Sequence, residues 1–306
     1  MNTKDDDPIA QILVVDTHDT LLFFTNRGRV LKLTAYELRA DTSRNTRGVP
    51  LVNVIQLGDN EEVSALIGLK NLDQEDTYFI MGTEKGNVKR MAVSQMSNIR
   101  LSGLIAMNVK SDDQLIGVRL AKTEDDIIMV SSQGMSIRFP VSNVTPRQRA
   151  AGGMKGMVLS AKDRLVGMDI IKPDGDSRLL VISRLGYGKL TPTSEYRRQG
   201  RGGKGIKTFN IRSKTGPVAA AEIVDDSKEV YVVSEQAQVL RTSLSEISSM
   251  GRATQGVTIF KPQKGDAVSS IACVSDLDVG SSDDKSKGPS ANGTSVNGHV
   301  TEDLDK

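Results

Sequence analysis

An internal repeat of about 50 residues constrains this chain more than any other feature. An apolar strand follows an acidic residue, and a tight turn leads into a strand that carries a base. A polar loop then reaches a glycine, and an apolar strand closes the unit. The opening strands are expected at Thr20–Phe24, Thr77–Met81, Ile127–Val130, Leu179–Ile182 and Val230–Val233. Their turns fall at Gly28, Gly86, Gly134, Gly186 and Ala237. The loop glycines are read at Gly48, Gly103, Gly156, Gly205 and Gly256, and the closing strands at 63–69, 115–120, 165–171, 218–224 and 268–274. Two residue series that keep one period imply one supersecondary unit used five times.

Each unit reads as four short strands, rich in Val, Ile and Leu and bounded by Gly, Asp, Asn and Ser. Turns such as Asn26-Arg27-Gly28 and Glu84-Lys85-Gly86 suit hairpins, where glycine supplies a positive φ. No segment of helical length shows a 3.6-residue period. Connectors at 34–38, 93–96, 192–196 and 244–247 fit single helical turns. Tandem four-stranded units predict an all-β propeller-like ring, in which radial repetition protects strand edges. Residues 9–15 match a closing strand without its partners. The expectation is therefore six blades, with a truncated first blade at 9–18 and five full repeats up to residue 275. Residues 1–8 and 276–306 have the composition of disordered ends.

Composition narrows the chemistry. The chain has one cysteine, two histidines and no Trp. A disulfide framework, a Cys-based zinc site and a multi-His metal site are excluded. No apolar run approaches the length of a membrane span, and the N-terminus lacks a signal-peptide core. A cytoplasmic protein with no small-molecule substrate is expected. Cys273 ends an apolar strand and reads as a small buried hydrophobe. The net charge is +2. Residues 276–306 hold seven acids against three bases, so the repeats carry the surplus of bases. A basic body beside an acidic tail fits a polyanion-binding domain with a competing segment, or simply a solvated surface and a plain end.

The densest basic stretch is 197–207. It contains Arg197, Arg198, Gln199, Arg201, Gly202, Gly203, Lys204, Gly205 and Lys207, with no acid. It is not a Walker A loop, because Lys204 is followed by Gly205 rather than Ser or Thr. Glycines that admit close approach, together with backbone N–H groups and cations, fit phosphate oxygens. A second series keeps the repeat's phase. Strand bases are Lys32, Arg90, Arg138, Lys189 and Arg241. Loop bases are Arg44, Arg47, Arg100, Arg147, Arg149, Lys155 and Arg252. On a ring these positions would share a rim and form a curved basic stripe suited to bent duplex DNA. Few aromatics are available for single-strand stacking.

Four segments carry a resemblance: THDTLLFFTNRGRVLKL at 17–33, TRGVPLVNVI at 46–55, DDQLIGV at 112–118 and SEISSMGRATQGV at 245–257. They resemble recurring phrases of the C-terminal domain of the DNA gyrase A subunit, and of its topoisomerase IV relative. The resemblance covers about residues 9–275. It implies a β-pinwheel whose blades exchange strands and wrap duplex DNA around a basic perimeter without sequence preference. It implies as partners the catalytic part of the gyrase A subunit, together with the ATPase-bearing gyrase B subunit, in a nucleoid-associated enzyme that introduces negative supercoils. The family's box loop is matched by Gln199–Gly205, with Gly200 where Arg is typical, in a late repeat rather than the first. None of the five tyrosines has the setting of the DNA-cleaving residue. The chain alone is expected to be non-catalytic and without cofactor, ATP and Mg belonging elsewhere in the holoenzyme. Decatenation as part of topoisomerase IV, or a protein-interaction propeller, are the other readings.

Overall fold

The computed structural model describes residues 11, 13–38, 48–173, 175–224 and 227–275. The first repeat supplies β1 (Thr20–Thr25), β2 (Arg29–Thr34) and β3 (Val63–Leu69). The second supplies β4 (Tyr78–Thr83), β5 (Asn87–Ala92), β6 (Leu104–Ile105) and β7 (Leu115–Ala121). The third has β8 (Asp126–Ser131), β9 (Met135–Pro140), β10 (Met154–Lys155) and β11 (Leu165–Ile171). The fourth has β12 (Arg178–Ser183), β13 (Tyr187–Pro192), β14 (Ile206–Lys207) and β15 (Val218–Val224). The fifth has β16 (Ser227–Ser234), β17 (Val239–Ser243), β18 (Val257–Thr258) and β19 (Val268–Ser275). Single 3-10 turns follow the second strands at Ala35–Glu37, Val93–Met96, Val141–Asn143, Thr193–Glu195 and Leu244–Glu246.

The sheets do not coincide with the repeats. Their strand orders are β3-β1-β2-β6, β10-β5-β4-β7, β11-β8-β9-β14, β15-β12-β13-β18 and β17-β16-β19. Each of the first four blades takes its outermost strand, two residues long, from the repeat that follows. The turn glycine is where this exchange docks. The carbonyl of Gly28 accepts from the N–H groups of Ala106 and Met107, and Gly86, Gly134 and Gly186 do the same for the next repeats in line. A Cβ on Gly186 would lie 2.0 Å from the Phe260 carbonyl oxygen. The fifth turn holds Ala237 in the same left-handed conformation, at φ 59°. Among the described residues no later backbone N–H docks on its carbonyl, so a side chain is tolerated there.

The opening strands are apolar throughout because both faces are buried, as in a covered sheet. Leu22 and Phe24 pack with Phe79 and Met81 of the next blade. Ile80 packs with Ile127 and Met129, Ile128 with Leu179 and Val181, and Leu180 with Val230 and Val232. The closing strands β3, β7, β11, β15 and β19 lie side by side in that order. The last four line a cavity of about 190 Å³. Arg119 bridges there, its Nε donating to Asp169 at 3.0 Å and its guanidinium 3.7 Å from Glu222. Burial, then the Asp169 charge, pushes the Glu222 carboxyl up to about 7. Burial and the facing Glu222 carboxylate push the Cys273 thiol up, as suits an inert side chain.

Two expectations are corrected. The structure has five blades, not six with a truncated first. Among the described residues of 9–18 there is no strand. The Gln11 side chain, not its backbone, meets β3, accepting from the Leu66 N–H at 2.7 Å and donating to the Ser64 carbonyl at 3.2 Å. Val15, Val54 and Leu57 cover the outer face of the first blade, Leu21, Phe23, Leu31 and Ile55. The apolar character of this segment thus serves as a cap. The third loop glycine is Gly153 rather than Gly156. Gly153 precedes β10 and abuts the Val88 carbonyl, as Gly103 abuts that of Val30. Gly156 instead donates to the Gly86 carbonyl, the role of Ala106 one repeat earlier.

Candidate nucleic-acid interface

The loops that lead into the exchanged strands are hydrogen-bonded to one another from repeat to repeat. The Ala150 N–H donates to the Ile105 carbonyl, and the Asn108 N–H to that of Ala151. Gly202 N–H reaches the Gly156 carbonyl at 2.7 Å, and Val158 N–H that of Gly203 at 2.9 Å. Asn210 N–H meets the Thr254 carbonyl at 3.0 Å. The result is a continuous belt along the outer edges of the blades, from the second repeat to the fifth.

The belt carries the loop bases. Turn tips present Arg149, Arg201 and Arg252 as the first residue of equivalent turns, and Lys155 and Lys207 are the outward second residues of β10 and β14. Arg100, Arg147, Arg149, Lys155, Arg197, Arg198, Arg201, Lys204 and Lys207 are exposed, and Arg252 is half-buried. The guanidinium of Arg201 donates to the Lys155 carbonyl at 2.6 Å. That of Arg252 donates to the Lys207 carbonyl. Bases of neighbouring repeats are therefore brought side by side. Arg44 and Arg47 lie outside the described residues.

The strand bases have another place. Lys189 has no accessible surface. Its Nζ donates to the carbonyls of Gly251 and Arg252 at 2.7 Å and to Thr254 Oγ1 at 3.0 Å. Burial pushes its ammonium down to about 8, so it stays charged at neutral pH. Arg138 donates to Asp126 Oδ2 at 2.7 Å and to the Thr193 carbonyl at 2.9 Å. Arg198 of the basic loop reaches the same buried carboxylate at 2.7 Å. Arg90 is buried over the Tyr78 ring, 3.7 Å from its centroid, and donates to Thr123 Oγ1. Arg241 makes a two-point pair with Glu229, and Lys32 is half-buried. The strand bases with these contacts tie strands and loops together; their phase with the repeat is the phase of the scaffold.

Sequence reasoning missed Lys89, which is buried beside Arg90. Its Nζ donates to the Ala106 and Ala151 carbonyls at 2.7 and 3.0 Å, joining the loops of two repeats. Burial pushes it down to about 8 as well. The available signal was a second base, next to Arg90, inside a strand that also carries Val88, Met91 and Ala92. The glycines of 197–207 also divide. Gly205 is required by packing, since a Cβ would meet the Ser136 carbonyl oxygen at 2.2 Å, whereas Gly200 faces open space.

The model of the DNA gyrase C-terminal domain, beta-propeller family matches five segments: residues 19–68, 77–122, 125–172, 177–225 and 228–275. The chain belongs to this family. Each matched segment of the gyrase C-terminal domain family is one repeat as described above, and residues 9–18 fall outside the match. The DNA gyrase A subunit of Staphylococcus epidermidis is 41% identical over 278 residues, covering 91% of this chain and 31% of that protein. Its Staphylococcus aureus counterpart (strain MRSA252) is 39% identical over 287 residues, covering 94% and 32%. The chain thus spans about a third of the length of these relatives. A solved gyrase A C-terminal domain superposes with a TM-score of 0.72 at 25% identity, covering 85% of this chain and 83% of that one. A topoisomerase IV C-terminal domain gives 0.78 at 25% identity, covering 90% and 84%. Among the described residues no helix is long and apolar enough to cross a membrane.

Proposed function

We propose that this gyrase C-terminal domain binds duplex DNA along the belt without sequence preference, and bends and wraps it. The observation that carries the reading is the belt itself: a curved, hydrogen-bonded line on which Arg147, Arg149, Lys155, Arg201, Lys204, Lys207 and Arg252 follow one another. Lysine and arginine contacts to phosphate position a duplex but carry no base code. Sharp bending of a 20–30 base-pair site costs of order 1–6 kcal/mol. Contacts spread over several blades offset that cost, because each added phosphate contact is made only if the duplex follows the curve. Lys189, Arg138 and Lys89 serve this function from beneath, by fixing the loops.

The chain works as part of the gyrase A subunit, with its catalytic part and the ATPase-bearing gyrase B subunit, in negative supercoiling within the bacterial cytoplasm. Gyrase A relatives near 40% identity support gyrase over topoisomerase IV. The acidic residues 276–306 lie outside the described residues; in this reading they compete weakly with phosphate at low salt. Titrating salt against duplex affinity tests the function. Phosphate wrapping requires affinity to fall steeply, with a slope of about −0.9 per contacted phosphate. No duplex affinity at low salt would overturn it.

A further inference from the structure

The belt is basic at two recurring positions, and one repeat breaks the pattern at both. The first residue of the loop turn is Arg149, Arg201 and Arg252 in the third to fifth repeats, but Leu101 in the second. The outward residue of the exchanged strand is Lys155 and Lys207 in the third and fourth and the polar Thr258 in the fifth, but Ile105 in the second. Leu101 is 87% exposed and Ile105 52%. Arg100 immediately precedes Leu101. The neighbouring repeat's turn is attached on the other side: Arg149 N–H donates to the Gln95 side chain, and Ala150 N–H to the Ile105 carbonyl.

This turn is held rigidly. Gly103 N–H closes it on the Arg100 carbonyl at 2.8 Å. Arg29 donates to the Ser102 carbonyl at 2.7 Å and is itself held by Glu61 through Nε at 3.0 Å. Burial works against the Glu61 charge, yet hydrogen bonds from Arg29, Thr25 and Gly58 bring its carboxyl down to about 2, so the brace persists at all ordinary pH. A leucine is thus displayed at the tip of a fixed turn, on the line the duplex follows, between arginines.

Resting on the reading of the belt as a duplex-binding surface, we propose that Leu101, supported by Ile105, is an apolar wedge that enters the DNA at a base step and localises a kink over the second repeat. Side chains of this kind part base steps and bend the duplex while flanking cations hold the phosphates. The patch is two side chains wide, far below the roughly 800 Å² per partner of a stable protein interface, whereas a base step needs only one. Charge on both sides matches phosphates flanking a step.

The test uses the full chain with a 150 base-pair duplex and three readouts: permanganate reactivity of thymines, end-to-end energy transfer, and salt dependence of affinity. Wild type is expected to raise the reactivity of thymines above that of the free duplex, by one opened step per bound chain. Leu101→Ala is expected to abolish that reactivity, to weaken binding about tenfold, and to leave the salt slope unchanged. Leu101→Met is expected to keep the reactivity. The side chain is exposed, so all three proteins are expected to unfold at the same temperature. Wild type that binds and bends with no reactive thymine, or Leu101→Ala that behaves as wild type, would overturn the wedge and leave the belt standing. Wild type that does not bind the duplex at low salt would overturn the belt reading itself. Loss of association with the catalytic part of gyrase A in Leu101→Ala, with DNA behaviour unchanged, would assign the pair to a protein contact and overturn the wedge.

Discussion

Lys189→Met separates a residue that touches DNA from one that shapes the surface touching it. The lysine is fully buried, so it cannot reach a phosphate. Methionine matches its length and removes the charge. Three hydrogen bonds disappear; the Arg252 carbonyl loses its donor, while that of Gly251 keeps the Thr254 hydroxyl at 2.8 Å. Bonds from a charged donor are worth about 1.5–3 kcal/mol each. Against that, the substitution recovers several kcal/mol of ammonium desolvation. The expected net loss is about 1–3 kcal/mol, a fall in melting temperature of about 3–10 °C. The released turn carries Arg252, so the salt slope of duplex binding is expected to become shallower by about one unit. Arg252→Ala is expected to do the same. The double variant should lose no more slope than Arg252→Ala alone, because both changes remove one contact. Thermal unfolding and salt titrations on the four proteins decide it. An unchanged melting temperature and slope in Lys189→Met would refute the reasoning. Additive slope losses would show that Lys189 contacts phosphate itself.

Arg201→Ala with Lys204→Ala is expected to lower the slope by about two units at unchanged stability, whereas Arg138→Ala, which leaves the buried Asp126 to Arg198, should cost about 1–3 kcal/mol; salt titration and urea unfolding check the pair. Glu222 has a folded pKa near 7, above its ordinary 4.5, so its contribution is most favourable below about pH 4.5 and is lost as pH rises through 7. Urea midpoints are expected to fall between pH 5 and pH 8 in wild type and to change less in Glu222→Gln; equal profiles would remove Glu222 as the cause. Gly186→Ala drives a Cβ against the Phe260 carbonyl and is expected to cost more than about 1 kcal/mol, whereas Ala237→Gly should lie within about 0.5 kcal/mol of wild type; calorimetry distinguishes them.

The blades were legible because their opening strands are buried on both faces. That burial writes uninterrupted runs such as Leu21–Phe24 and Ile127–Val130, and the turn glycines fix their spacing. Strand exchange was not legible from pattern alone, since β6, β10, β14 and β18 are two residues long and carry no periodicity. The extra blade was misread because Leu13 and Val15, which lie against β3, have the composition of a strand without forming one. The basic loops read directly as loops, and the structure places Arg149, Arg201 and Arg252 on equivalent turns. Lys189, Arg138 and Arg90 are held within the scaffold, and a repeated function and a repeated scaffold leave the same periodicity. Only burial separates Lys189, under its turn, from Lys207, on the outside. The buried carboxylate that holds Arg138 and Arg198 together comes from Asp126, far from 198 in sequence, so pairwise spacing could not reveal it.

Wrapping, as distinct from binding, is tested most directly by ligating nicked circular DNA in the presence of the chain and counting linking number after the protein is removed. A duplex wrapped along the belt is trapped with writhe when its path also rises out of the plane of the ring. The topoisomer distribution is expected to shift in proportion to bound protein, and the shift to vanish at high salt and in Arg201→Ala/Lys204→Ala. Saturating protein that leaves the distribution where it stands without protein would contradict wrapping along the belt.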